Sequence, residues 1–174
     1  DGAQIKVATL SAQQGESWQA ESANGKRIKI KDRDILLRFS QPTATELMAQ
    51  ASSLADSMDL SFLWECAPEE EFNFLDFANE YFGVSADPVQ RAALALALHN
   101  SPVYFRRKGR GRFQRAPQEQ LKLALAALER KKVQALLQQE YEAMLAQRSL
   151  PDAFIGKAMN LLFKPDKNSI EFKA

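Results

Sequence analysis

Residues 87–115 read DPVQRAALALALHNSPVYFRRKGRGRFQR, and this stretch decides the fold. Asp87-Pro88 opens a helix: the carboxylate caps exposed backbone N–H groups, and proline in the first turn forfeits no helical hydrogen bond. The body from Val89 to Leu98 is almost wholly alanine and leucine, the pattern of a helix buried on most sides. His99-Asn100-Ser101-Pro102 ends it. Beyond lie two aromatic-containing runs, Val103-Tyr104-Phe105 and Phe113-Gln114-Arg115, on either side of a Gly109-Arg110-Gly111 tip. That arrangement predicts a β-hairpin.

Upstream, the chain is helical back to Pro42. Thr43 or Thr45 can cap a helix whose Leu47, Met48, Ala51, Leu54 and Ala55 share one face. A shorter apolar piece follows around Leu60, Phe62, Leu63 and Trp64. Pro68 and Glu69-Glu70-Glu71 mark the next start, with Phe74, Leu75, Phe77, Ala78, Tyr81 and Phe82 as its apolar stripe and Gly83 as its stop. Helix, turn, helix and basic hairpin is the element order of a winged-helix domain, here expected over 43–116.

Before Pro42 the periodicity changes. Ile28 and Ile30 alternate with Lys29 and Lys31, which puts the isoleucines on a core face and the lysines in water. Asn24-Gly25 suits a type I′ hairpin. With Ile5–Thr9, Ser17–Ala20, Lys26–Lys31 and Ile35–Phe39 as strands, residues 1–40 are expected to form a small β-barrel or sheet. The fold class is therefore α+β. The remaining segment, 117–174, should be a long helix from Pro117 to Arg148, roughly 45 Å in length, and a junction broken by Pro151, Gly156 and Pro165. It ends in the strand-like Ser169-Ile170-Glu171-Phe172.

Composition narrows the function classes. The 174 residues carry a net charge of +1, so any case for a polyanionic partner must come from charge distribution. One cysteine, Cys66, excludes an internal disulfide framework and fits a reducing cytoplasm. With a single histidine, His99, it cannot furnish an ordinary structural zinc site. No apolar run approaches the ~20 residues of a membrane span, so no membrane partner is expected. No charged, apolar leader opens the sequence.

Chemistry concentrates in the hairpin. Arg106, Arg107, Lys108, Arg110, Arg112 and Arg115 lie in a stretch with no acidic residue from Val103 through Gln118. Guanidinium forks match phosphate, and a thin hairpin can reach across a backbone. Four such contacts to a single strand would give a log–log salt slope of about −3. Tyr104, Phe105 and Phe113 either stack bases or root the hairpin. The competing reading is a solvated basic loop, or one that pairs with Glu65, Glu69, Glu70, Glu71, Asp76 and Glu80, a stretch without Lys or Arg. A weaker patch is Lys26, Arg27, Lys29 and Lys31, followed by Arg33 and Arg38 and diluted by Asp32 and Asp34. Trp18 is its sole stacking candidate, and a core position suits it better.

No active site emerges. Glu69-Glu70-Glu71 is better explained by a helix dipole than by a metal. His99 reads as a capping or packing residue, and Cys66 as a buried thiol. Gly109-Arg110-Gly111 lacks the Lys-Ser/Thr and helix of a phosphate-cradling loop.

Four stretches, Gly25-Lys26-Arg27-Ile28-Lys29-Ile30-Lys31, Phe62-Leu63-Trp64-Glu65-Cys66, Tyr104 to Phe113 and Lys164-Pro165-Asp166-Lys167-Asn168-Ser169, together resemble the N-terminal, non-catalytic region of bacterial ribonuclease II-like exoribonucleases that carry a helix-turn-helix domain. The resemblance implies an RNA-binding front region whose partners are single-stranded RNA and a catalytic domain beyond this chain. It also implies 3′-to-5′ RNA degradation with magnesium in that later domain. No matching aspartate cluster is present here, so the resemblance carries over no catalytic residue, metal ligand or cofactor. In its terms the front domains guide RNA toward the catalytic channel; the charge clustering and the uninterrupted helix add the expectation that Pro117–Arg148 sets the distance from an RNA clamp to that channel. The alternatives are a winged-helix regulator reading duplex DNA, for which Val89–Leu98 offers only Gln90 and Arg91, and a module that docks on protein.

Overall fold

In the computed structural model, which describes residues 4–22, 24–163 and 166–173, the chain begins as an antiparallel meander. β1 (Ala8–Gln14), β2 (Ser17–Ser22) and β3 (Arg27–Lys31) pair in the order β1-β2-β3. Trp18, Ala20, Ile28 and Ile30 share one face through the pairs Trp18↔Ile30 and Ala20↔Ile28. Arg27, Lys29 and Lys31 take the exposed face, as the alternation predicts. The turn between β2 and β3 differs from the expected type I′. The Gly25 N–H donates to Ser22 O at 2.8 Å, so Gly25 closes the turn rather than sitting at its centre.

The expected closing strand does not form. After β3 the chain enters a one-turn 3₁₀ helix, Asp32–Asp34, and leaves the sheet. Residues 35–39 are extended, but Leu36 and Leu37 pack against the helical core instead of pairing with a strand. The meander stays an open three-stranded sheet, not a barrel. Trp18 is half-buried rather than in the core: Arg38 lies over its ring at 4.8 Å, and its indole N–H donates to Asp32 Oδ1 at 2.7 Å.

The helical part follows the capping logic of the sequence. α1 (Ala44–Ser57) starts at Thr43, whose N–H donates to Glu46 Oε2 at 3.1 Å while Glu46 N–H donates back to its hydroxyl. The Thr43 hydroxyl, donating to Glu46 Oε2 at 2.8 Å, and the Thr43 N–H together hold the Glu46 carboxyl below its ordinary value. α2 (Leu60–Cys66) is capped by Asp59. α3 (Phe74–Phe82) begins later than expected, with Asn73 as its cap, and Gly83 ends it at φ 98°. The Glu69–Glu71 trio therefore precedes the helix in a loop, and the dipole explanation of it fails. α4 (Pro88–Asn100) carries the Asp87–Gln90 capping box, and Ala93 to Leu98 are all buried. Ala51 of α1 packs on Ala93 and Leu96 of α4.

β4 (Phe72–Asn73), β5 (Phe105–Gly109) and β6 (Arg112–Arg115) make a second antiparallel sheet, ordered β4-β6-β5. Its aromatic roots join the core: Phe72 meets Phe77 edge-on at 5.0 Å and Phe105 at 6.5 Å. Trp64 of α2 donates its indole N–H to Ala116 O at 2.8 Å. Cys66, expected inside, is exposed at the last position of α2.

The chain divides into two compact units, Asp1–Gln118 and Glu119–Ala174. Helix α5 (Gln118–Ala146) runs 29 residues, ending close to the predicted Arg148. The second unit also holds α6 (Ala158–Phe163) and α7 (Ile170–Lys173), and Tyr141 meets Phe154 edge-on at 5.4 Å. The expected strand at Ser169–Phe172 is instead helical, because the Ser169 hydroxyl accepts the Phe172 N–H at 3.2 Å. The predicted break at Pro165, with Lys164 of the fourth resembling stretch, lies outside the described residues.

Candidate nucleic-acid interface

The hairpin β5–β6 carries all six predicted basic residues, and its fold dictates where each points. Register pairs Phe105 with Arg115, Arg106 with Gln114 and Arg107 with Phe113, then slips at Lys108 so that Gly109 faces Arg112. Phe105 and Phe113 are buried, which fixes that face as the inner one. Arg106, Arg107, Lys108, Arg110 and Arg112 are exposed, while Arg115 is half-buried.

Three of the six cations sit in ion pairs. Arg112 meets Glu71 at 3.0 Å, Arg110 meets Asp34 at 2.7 Å, and Arg115 is held by Glu69. Arg115 also lies 5.0 Å over the Trp64 ring and donates to the Trp64 carbonyl at 3.4 Å. It is a packing residue as much as a surface charge. Arg107 Nη1 lies 2.9 Å from His99 Nε2. A guanidinium only donates, so that imidazole nitrogen accepts and the ring proton sits on Nδ1, which lies 3.2 Å from Asn100 Oδ1. Lys108 makes no ion pair among the described residues.

The acidic loop thus engages the hairpin directly, the arrangement anticipated as the competing reading. Glu69 additionally accepts Gln114 Nε2 at its carbonyl, 3.2 Å away. Two of these partners, Asp34 and His99, carried no sequence signal, since each meets the hairpin only through tertiary packing. All three ion pairs involve solvent-exposed carboxylates, and such pairs are weak enough for a phosphate to replace them.

The second patch is built differently from expectation. Lys26, Arg27, Lys29 and Lys31 are all exposed, the last three along the outward face of edge strand β3. Their cross-strand partners are Glu21, Gln19 and Ser17. Trp18 belongs to the opposite face, so strand alternation separates the one aromatic from the lysines.

A cleft of about 880 Å³ opens between the meander, the segment 34–44, α4 and the hairpin tip. Among the described residues, no group of three or more His, Cys, Asp or Glu could hold a metal ion. No helix among the described residues is long and apolar enough to cross a membrane. No known protein family, curated protein or solved structure matches the chain.

Proposed function

We propose that this chain is an RNA-binding accessory region, of the kind that precedes the catalytic domain in ribonuclease II-like 3′-to-5′ exoribonucleases, and that it holds single-stranded RNA electrostatically. The observation carrying this reading is the hairpin with five exposed cations, Arg106, Arg107, Lys108, Arg110 and Arg112. The sequence α2-β4-α3-α4-β5-β6 with sheet order β4-β6-β5 supports a winged-helix reading, with the hairpin as the wing. Arginines on the wing and the basic edge of β3 contact phosphates with little sequence preference.

A reader of duplex DNA needs a polar helix free to enter the major groove. Here α4 is buried from Ala93 to Leu98 and covered by α1; Arg91 donates to Asn79 at 3.4 Å, and Gln90 serves the capping box. The Glu69 and Glu71 contacts favour one second reading, a module whose wing docks on an acidic protein surface such as a nuclease domain.

Fluorescence anisotropy of labelled single-stranded RNA across a salt series tests the proposal. Expected are salt-sensitive binding, a preference over duplex DNA, and strong weakening by Arg106→Ala, Arg107→Ala, Arg110→Ala and Arg112→Ala combined. Absence of binding at low salt overturns the reading in favour of protein docking.

A further inference from the structure

The cleft beside the wing has a chemistry that the phosphate clamp does not use. Its floor is aliphatic, formed by Leu36, Leu47, Met48 and Leu96, with Phe74 and Phe113 behind. Its charged lining is one-sided: Lys6, Arg38, Arg107 and Arg110 stand against a single carboxylate, Asp34. His99 lines it too, with Nε2 2.9 Å from the Arg107 guanidinium. At about 880 Å³ it falls within the volume range of small-molecule sites.

Two extended segments form its walls, residues 4–7 and 35–40. An apolar slot whose cationic rim includes Arg107 and Arg110 of the hairpin fits a body that is apolar on its faces and anionic at one end.

We infer that the cleft binds one unstacked nucleotide, its base against the Leu36–Leu96 floor and its phosphate on Arg107 and Arg110. The assignment rests on the single-strand reading above and deepens it. Arg107 and Arg110 line the cleft and belong to the hairpin as well, so a strand whose base enters the cleft continues onto the hairpin. The wing then supplies sequence-independent grip, and the cleft supplies discrimination between single strands and duplexes, because a paired base cannot enter. The same chemistry is available from a free mononucleotide or from a nucleotide within RNA.

The experiment uses the whole chain. Amide chemical shifts are recorded on adding uridine monophosphate, adenosine monophosphate or decanoate at constant ionic strength. In parallel, a short single-stranded RNA is titrated against the wild type and Ser40→Trp, which adds an indole at an exposed lining position to narrow the cleft. Expected are nucleotide-induced shifts at Leu36, Leu37, Gly109 and Gly111, and RNA affinity lowered at least about fivefold in Ser40→Trp, the smaller end for losing one held base. RNA binding that Ser40→Trp leaves unchanged, with no cleft shifts, overturns the inference while the clamp stands. Cleft shifts with mononucleotide but no RNA binding overturn the clamp and leave the nucleotide site. Shifts with decanoate alone overturn the nucleotide assignment. Should Ser40→Trp unfold, the wild-type shifts decide by themselves.

Discussion

Arg112 Nη1 donates to Glu71 Oε1 at 3.0 Å, tying the second strand of the hairpin to the acidic loop before β4. Glu69 holds Arg115 on the same strand. Under the proposed function, these carboxylates compete with phosphate for the same guanidinium groups.

Glu69→Gln with Glu71→Gln should therefore tighten single-stranded RNA binding. Exposed pairs contribute up to about 1 kcal/mol each, so release of Arg112 and partial release of Arg115 should raise affinity about two- to fivefold. Two more available charges should steepen the log–log salt slope by up to about 1.4. Thermal stability should change little. Anisotropy titrations at several salt concentrations check this, and weaker binding by the double variant would show that the acidic loop supports the wing's geometry rather than competing for it.

The tip of the β5–β6 hairpin makes a different demand. Gly111 sits at φ 67°, and a Cβ there would come within 3.0 Å of the Phe74 ring. Its carbonyl also accepts the Phe74 N–H at 2.9 Å. Gly111→Ala should cost about 2 kcal/mol, from left-handed strain and displacement of a buried ring. Gly109→Ala meets nothing within 4 Å and lies outside the left-handed region, so it should stay within about 0.5 kcal/mol of wild type. Urea unfolding of the two variants tests the contrast, and equal losses would refute it.

Local signals were legible in the sequence because their physics is local. Thr43 and Asp87 announce their helices through bonds made within three residues. The Ile28/Lys29/Ile30/Lys31 alternation announces its sheet face, and Gly109-Arg110-Gly111 its hairpin tip. Ile35–Phe39 has a strand's composition, but whether Leu36 meets a strand or the helical core depends on the rest of the fold. The same applies to the site. The six wing cations could be named from sequence, whereas Asp34 beside Arg110 and His99 beside Arg107 come from distant segments. Glu69–Glu71 lies off the helix start for a related reason: the short strand β4 intervenes, and its pairing with β6 is non-local.

In the second unit, α7 depends on one ion pair for its pH response. Lys157 Nζ meets Glu171 Oε1 at 2.6 Å. The hydrogen bond from Lys157 holds the Glu171 carboxyl below its ordinary value, and the same bond raises the Lys157 ammonium. Because the carboxylate value is depressed in the fold, its stabilisation is complete above the ordinary carboxylate value and is lost as pH falls through the depressed one. The raised lysine value adds stabilisation that is present below the ordinary lysine value and lost as pH rises through the raised one. Protection of the Phe172 amide should follow both limits, with a plateau at neutral pH. Glu171→Gln should abolish the acid limb; an unchanged limb in that variant would assign it to another group.

Helix α5 ends in a motif built for glycine, but arginine occupies the position. Arg148 sits at φ 59°; its N–H donates to Leu145 O at 2.9 Å, and the Ser149 N–H donates to Met144 O at 2.9 Å. That pair of bonds is the Schellman termination, in which the left-handed residue is usually glycine. Arg148→Gly should therefore stabilise the second unit by about 0.5–1 kcal/mol. The substitution also removes a cation near the negative end of the helix dipole, which works against the gain. Arg148→Ala removes the same charge and keeps the strain, so comparing these two variants separates the effects. A higher Tm for Arg148→Gly than for Arg148→Ala supports the backbone argument. Equal values would mean that this turn relaxes once the long side chain is gone.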